Sequence, residues 1–285
     1  MRPFRKCIPG GAGHAWIVGR SVTASPAAGG GIVVTGAASG LGHAAHKALG
    51  GVAFVRGDSA DALQKAAAKP FDAILHCAFE PPRPSAAADP DAYIESCVRL
   101  TEQLAQVPHR KFLLVSTIDV YPRDGVRHGE DEEIDRDGPQ HPYARAKVAC
   151  EAVVRDRCPN HLILRAAGML GPDMRPNNLL RMVREPDAAL TLTADSRLNT
   201  ILHRDVVEFI RIALARNETG IFNLASAKAV TLGEIAAMFG LAPHYGTFTY
   251  TAADVDNHKA ASLLPAFRRN SAEVVAAFFH PAPAR

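Results

Sequence analysis

The chain has 285 residues, 47% of them apolar and 21% charged, with a formal net charge of +3. That length and balance suit one large soluble domain, or one domain carrying a lobe. No apolar run reaches the roughly 18 residues that span a membrane. Residues 1–30 hold Arg2, Arg5, Lys6 and Arg20 and no acid, a charge of +4, so the remainder carries −1 and no basic excess that would suggest nucleic acid.

The first 30 residues are rich in Gly, Pro, Ala and Ser and read as a disordered extension. They lack the continuous apolar core of a secretory signal. A flexible extension, a misassigned start and an organelle-targeting peptide are the alternatives. The Gly10-Gly11-Ala12-Gly13 cluster follows no strand and is set aside as a cofactor loop. Five cysteines, Cys7, Cys77, Cys97, Cys150 and Cys158, form no C-x-x-C pair and no metal-type cluster. They read as reduced thiols of a cytoplasmic protein, with Cys77 and Cys150 as core or neutral positions.

From residue 31 onward, apolar runs recur at Ile32–Thr35, Val52–Val55, Ala73–Cys77, Phe112–Ser116 and Leu162–Arg165. Helical periodicity separates them, at about 40–49, 59–69, 91–106 and 142–157. Short buried-type strands alternating with helices imply an α/β fold, a doubly wound parallel sheet covered on both faces. This Rossmann-type domain is expected over 31–170. Residues 171–285 are expected to form mainly a smaller C-terminal substrate lobe, with elements that return to the first domain. There, Met174–Glu185 reads as a loop and a helix, Leu190–Thr193 and Thr200–His203 as short strands, Asp205–Arg216 as a helix and Ile221–Leu224 as a strand. Thr231 with Glu234 forms a capping box. Arg123–Gln140 is a polar, acidic loop placed where it could contact a substrate.

Two signals carry chemistry. The first is Thr35-Gly36-Ala37-Ala38-Ser39-Gly40-Leu41-Gly42, a strand running into a glycine-rich turn and a helix. Gly36 permits the tight turn, while Gly40 and Gly42 allow backbone and helix close to a pyrophosphate, which the helix N-terminus favours. Thr35, Gly36, Ala38, Ser39, Gly40, Leu41 and Gly42 are therefore candidate cofactor residues, with Cys77 and Ala78 at the end of a neighbouring strand. Ribose preference is set about 20 residues on. Arg56 could meet a 2′-phosphate, favouring NADP over NAD, and Asp58 could bind a ribose hydroxyl or the adenine.

The second signal is Tyr143-Ala144-Arg145-Ala146-Lys147, which puts a phenol and an ammonium on one helix face. A phenol near pKa 10 is a poor acid or base at neutral pH. The Lys147 ammonium and a positive nicotinamide ring would lower that value by favouring phenolate. Tyr143 could then pass a proton to or from a carbonyl or alcohol oxygen while hydride moves at carbon. Lys147 would also hold the nicotinamide ribose. Thr117 could fix the same substrate oxygen, with Ser116 as the alternative. Arg175 and Arg197 could hold a substrate diphosphate. His203-Arg204-Asp205 reads as a strand end followed by an Asp cap on the next helix. No serine-hydrolase or zinc motif is present.

These residues resemble the extended branch of the short-chain dehydrogenase/reductase superfamily, the NAD-dependent epimerase/dehydratase family. The resemblance covers about residues 32–240 and rests also on FDAILHCAF, KFLLVSTIDVYP, HPYARAKVACE, LILRAAGMLGP and NTILHRDVVEFI followed by GIFNLAS. It implies a Rossmann domain with a sugar-nucleotide lobe, Tyr143 and Lys147 as catalytic pair, Thr117 as the family's Ser/Thr, and a homodimer through the helices at 91–106 and 142–157. Some positions depart from the pattern. The glycine spacing is that of the single-domain branch. Only about 16 residues separate Gly42 from Asp58, as if one strand–helix unit were lost, which would make Gly57-Asp58 the adenine-contacting pair. Gly168 and Cys97 stand where Asn is common. Ile118 stands where 4,6-dehydratases carry an acid, which ranks dehydration below epimerisation or reduction. The expected function is an NAD(P)-dependent 4-epimerase or keto-sugar reductase acting on a nucleotide-activated sugar. A non-sugar alcohol or ketone reductase and a catalytically silent NADP-sensing protein are the alternatives.

Overall fold

The structure, a computed structural model, describes residues 31–79, 89–135, 138, 141–185 and 187–280. The 1–30 extension with its Gly10–Gly13 cluster and Cys7 lies outside the described residues, as do positions 136, 137, 139 and 140 of the acidic loop. Six apolar segments pair as one parallel sheet: β1 Ile32–Thr35, β2 Val52–Phe54, β3 Ala73–His76, β4 Phe112–Thr117, β5 His161–Ala166 and β6 Gly220–Leu224. Their order is β6-β5-β4-β3-β1-β2. β3 and β4 are buried at every residue, as strands covered on both faces must be. β2 lies on one side of β1 and β3 on the other, so the winding direction reverses at β1. Open α/β sheets place their ligand crevice outside the strand ends at such a point.

The helices that cover the sheet start where their sequences stop them from starting earlier. In α1 (Gly40–Leu49) the first residue is a glycine with φ +56. After α2 (Ala60–Ala66), α3 (Pro90–Gln106) begins with Asp89 accepting the Ala92 N–H at 3.0 Å and Pro90 at the first turn. α4 (Pro142–Arg157) begins likewise, with Pro142 in its first turn and His141 Nδ1 accepting the Tyr143 N–H at 3.2 Å. That cap sets the register of α4 and so the face on which Tyr143 and Lys147 emerge. The inward face of α4 is built from small side chains, Ala144, Ala146 and Cys150, which let it lie close to α3 and the sheet.

Beyond β5, α5 (Asn178–Arg184), α7 (Leu232–Met238) and α9 (Ser271–Phe279) gather around a separate apolar cluster, while α6 (His203–Arg216) and α8 (His258–Leu263) pack into the core of the sheet. Thr231 and Glu234 make both bonds of the capping box on α7. Leu190–Thr193 is not a strand. Its flanks make single bridges, Ala189 with His244 and Leu192 with Phe248, and the Thr191 N–H goes to the Asn178 side chain at 2.7 Å instead of a ladder. α6 starts at His203, two residues before the expected Asp205. The short strand Thr200–Leu202 runs directly into it, so Leu202 is the cap residue, and Asp205 inside the first turn pairs with Arg269. Much of the 123–140 loop is tied down. Arg127–His128 pairs with Asp254–Val255, and Glu130 accepts the Asn223 N–H at 2.9 Å.

A buried ion pair sits behind β4 and β5. Arg165 on β5 is 1% exposed and Glu151 on α4 is 2% exposed. Arg165 Nη2 donates to Glu151 Oε2 at 2.7 Å, and its Nε reaches both carboxylate oxygens at 3.2 Å. Ser116 Oγ donates to Glu151 Oε1 at 2.5 Å, and Arg165 Nη1 donates to Tyr121 Oη at 2.7 Å. The charges are thus fully hydrogen-bonded, the condition under which burial of an ion pair is tolerated. Glu151→Ala is expected to lower unfolding stability by about 3–5 kcal/mol in urea titration, because it strands the Arg165 charge. The double substitution Glu151→Leu/Arg165→Met should recover most of that loss.

Candidate active site

One wall of the crevice is the turn after β1. Gly36 takes φ +69, and a Cβ there would lie 3.0 Å from the Ala78 nitrogen, so the turn presses on the end of β3. A Cβ at Gly42 would lie 2.3 Å from the Gly36 carbonyl oxygen, so α1 rests on its own turn. Below this turn Thr35 is fully buried. Its hydroxyl accepts the Ala78 N–H at 2.9 Å and is 2.8 Å from His76 Nδ1, whose Nε2 is 3.2 Å from the Thr101 hydroxyl. Thr101 in turn donates to the Cys97 carbonyl. A neutral His76 protonated on Nε2 satisfies every member, and burial accordingly pushes its pKa down to about 3. Thr35 thus positions the crevice from beneath and is not among the residues lining it. Ser39, the cap residue of α1, makes no side-chain cap bond, and with the Gly40 N–H given to the Asp173 carbonyl this leaves the N–H groups of Leu41 and Gly42 for a ligand.

The crevice opens into a cleft of about 840 Å³. Gly36, Ala38, Ser39, Gly40, Leu41 and Gly42 line one side of it, with Cys77 and Ala78 at the end of β3. Arg56 and Asp58 line it beyond β2. Asp58 Oδ2 accepts the Val55 N–H at 2.7 Å, which also ends β2 at Phe54 rather than Val55. Met169, Arg175, Asn177 and His203 line the cleft from the segments that follow β5. Cys77 has its thiol pushed up to about 12 by burial, so it is no nucleophile at physiological pH.

The far end of the cleft is Tyr143. Thr117 lies beside its phenol and favours the ionised form, and the Thr117 Oγ1 accepts the Asp119 N–H at 3.2 Å. Burial pushes the phenol pKa well above its ordinary value, and the Asp119 carboxylate adds to the rise, while Thr117 and Arg175 oppose it. This reverses the expectation of a lowered value: Tyr143 is held as a protonated phenol. Lys147 does not offset the burial. Its Nζ donates to the Val115 carbonyl at 2.7 Å and sits 3.7 Å from the centre of the Phe79 ring but 5.9 Å from that of Tyr143. Phe79 packs edge-to-face on Tyr143 at 5.1 Å and covers the ammonium. Lys147 is 3% exposed and, as these side chains lie, touches the cleft only through Phe79. Burial lowers its pKa to about 8, with nearby thiols and Glu151 opposing the shift.

Ser116 faces away from Thr117, as alternate residues of a strand must, and its hydroxyl is committed to Glu151 in the core, so it does not reach a substrate. Arg197 is exposed on the two-residue strand Arg197–Leu198 and is not among the residues lining the cleft. Side chains that sequence reasoning did not single out come together instead. Asp119 Oδ1 accepts from Tyr250 Oη at 2.9 Å and from Arg123 at 3.0 Å, and Arg123 lies over the Tyr250 ring. Asp119, two residues beyond Thr117, was within reach of a motif reading. Tyr250, 131 residues away in the chain, was not. Among the described residues no group of three or more His, Cys, Asp or Glu could hold a metal, and no helix is long and apolar enough to cross a membrane.

The family model of the NAD dependent epimerase/dehydratase family matches residues 10–225. Among curated proteins none matches the chain. Solved structures share the fold. MoeE5, in complex with UDP-glucose and NAD, is 19% identical over 87% of this chain and 97% of its own, with a TM-score of 0.73. The UDP-glucuronic acid 4-epimerase of Bacillus cereus, in complex with UDP-glucuronic acid and NAD, is 19% identical over 87% and 97%, with a TM-score of 0.68. A dTDP-4-dehydrorhamnose reductase of Clostridium acetobutylicum is 18% identical over 87% and 98%, with a TM-score of 0.70. A dinucleotide fits the residues present: the Gly36–Gly42 approach leaves backbone where a side chain would stand, and α1 offers uncapped N–H groups to a phosphate. Gly42→Ala drives a methyl at the Gly36 carbonyl and must lift α1. Its NADH affinity, measured by fluorescence titration, is expected to fall at least ~10-fold, about 1.4 kcal/mol, with the sheet intact by circular dichroism.

Proposed function

The chain belongs to the NAD dependent epimerase/dehydratase family, and from that premise we propose that it is an NAD(P)-dependent oxidoreductase or epimerase acting on a nucleotide-activated sugar. One observation carries the reading. The glycine turn at the switch point and the Tyr143 phenol line a single cleft, with Thr117 beside the phenol. When bound, the dinucleotide supplies a hydride donor or acceptor. The protein's own groups handle the proton. Tyr143, held as a phenol, gives its proton to a substrate carbonyl oxygen or, in reverse, receives one from an alcohol. Thr117 holds the same oxygen. Once a bound ligand displaces the Phe79 ring, the Lys147 ammonium can face the phenol and stabilise the phenolate that forms when the proton leaves. Arg175, exposed on the lobe side of the cleft, suits the substrate diphosphate; Arg197 and Ser116 do not line the cleft. A 4-epimerase and a keto-sugar reductase use this same proton relay.

For the cofactor, Arg56 on the cleft beyond β2 supports NADP, while the fold relatives above carry NAD. A homodimer belongs to the same reading. The outer faces of α3 and α4 share a groove in which Val98, Ala149, Ala152 and Val153 are bordered by Arg145, Asp156 and Arg157, a surface that a second copy could cover.

Tyr143→Phe is expected to slow conversion of UDP- and dTDP-hexoses by ~10²–10⁴-fold while the NADH dissociation constant stays within about threefold; full activity would sink the mechanism. Arg56→Ala should weaken NADPH by ~10-fold, about 1.4 kcal/mol, and leave NADH unchanged. Equal effects on the two would take Arg56 away from the ribose phosphate.

A further inference from the structure

Among the described residues, His203 Nδ1 is the one buried side-chain nitrogen or oxygen without a hydrogen-bond partner. The residue is 4% exposed, yet it is one of those lining the cleft. An orphaned polar atom in a native fold calls for an explanation, and here the least costly one is that Nδ1 carries no proton, which leaves the ring's one N–H on Nε2. The ring is placed with some exactness. A Cβ at Gly171 would stand 2.1 Å from Nδ1, so the imidazole lies flat against that glycine. This leaves the opposite edge, Nε2, for the cleft.

The surroundings combine two positive helix ends with one carboxylate, Asp173, whose Oδ2 lies 3.9 Å from His43 Nε2. His203 is the first residue of α6, whose cap residue Leu202 makes no side-chain bond to the first turn. Asp205, the acid of that turn, pairs with Arg269. α6 packs against α1, whose start is likewise without a side-chain cap. The lobe loop that begins at Gly171 joins the two helix starts, since the Asp173 carbonyl accepts the Gly40 N–H at 3.2 Å. Two uncapped helix N-termini, both positive ends, therefore flank the same stretch of cleft.

Resting on the dinucleotide reading of the cleft, we propose that His203 is a cofactor-binding residue, its Nε2–H donating to a diphosphate oxygen of the dinucleotide from the wall opposite Gly40–Gly42. Burial pushes the imidazole pKa down to about 4, against a smaller opposing effect of Asp173, so the ring is neutral and holds one proton. With that proton on Nδ1, a donor would be buried against Gly171 with nothing to accept it. With it on Nε2, only a lone pair faces Gly171 and the donor points to the cleft.

The test is calorimetric titration of the full-length protein and its His203→Leu, His203→Gln and Gly171→Ala variants with NADH, ADP-ribose and adenosine. A hydrogen bond to a charged group predicts at least a ~10-fold loss for NADH and ADP-ribose in His203→Leu, with adenosine within about twofold. His203→Gln, which restores a donor, should lose less than His203→Leu, and Gly171→Ala, which pushes the ring aside, should resemble His203→Leu. In the wild-type protein, the His203 ¹⁵Nε2 resonance should shift on adding ADP-ribose, a readout that needs no variant to fold. Unchanged ADP-ribose affinity in His203→Leu together with an unmoved resonance overturns the proposal. So does an equal loss for all three ligands with no rescue by Gln, which marks a structural role. If the wild-type protein binds none of the three, the dinucleotide reading itself fails, a result distinct from either.

Discussion

The ion pair between Arg165 and Glu151 holds α4, the helix of Tyr143 and Lys147, to the sheet. Glu151 lies one turn beyond Lys147 and two beyond Tyr143 on α4, and Arg165 comes from β5. Charges taken so far out of water are tolerable only with every hydrogen-bonding site occupied. Ser116, Tyr121 and Asn223 complete that set, since Tyr121 Oη passes its own proton to Asn223 on β6. One polar network therefore joins β4, β5, β6 and α4, and it does so on the core side. Along β4 the alternation of a strand divides the labour. Ser116 points to the network, and Thr117 points to Tyr143. The hydroxyl at the reacting end is aligned because its neighbour is locked.

A second polar chain does the same for the nucleotide side. Thr35, His76 and Thr101 bridge β1, β3 and α3 beneath the glycine turn. Strands β1 and β3 are where the sheet reverses its winding, so the spacing of their ends sets the width of the crevice. The sheet has β2 followed directly by α2 and then β3 on the other side of β1. The short interval between Gly42 and Asp58 thus leaves the switch point in place and brings Arg56 and Asp58 to the cleft on the first strand beyond it.

Much of this was legible in the residues. The sheet strands and the helices between them to residue 170 follow from continuous apolar runs and a 3.6-residue period, and the glycine spacing marks the place where backbone must approach backbone. Tyr143 and Lys147 were found by a spacing that a helix makes meaningful. What the pattern could not convey is what stands between them. Phe79 follows β3 in the chain, and only the packed fold lays its ring over the Lys147 ammonium and against Tyr143. The raised phenol pKa follows from that burial and from Asp119, whose carboxylate is held by Tyr250 of the lobe. Ser116 and Thr117 are adjacent and chemically alike, and the choice between them depends on which sheet face carries the cleft. His203 reads as a strand end until the helix start and Gly171 are seen around it.

The central claim is that the cleft from Gly36 to Tyr143 holds a dinucleotide with its reactive end at the Thr117–Tyr143 pair. A crystal structure of the protein grown with NAD tests it most directly. The account predicts continuous density over the glycine turn, with the diphosphate at the start of α1 and the nicotinamide beside Tyr143, the Phe79 ring displaced to admit it. A dinucleotide bound elsewhere, or one whose nicotinamide lies away from Tyr143, would contradict the account.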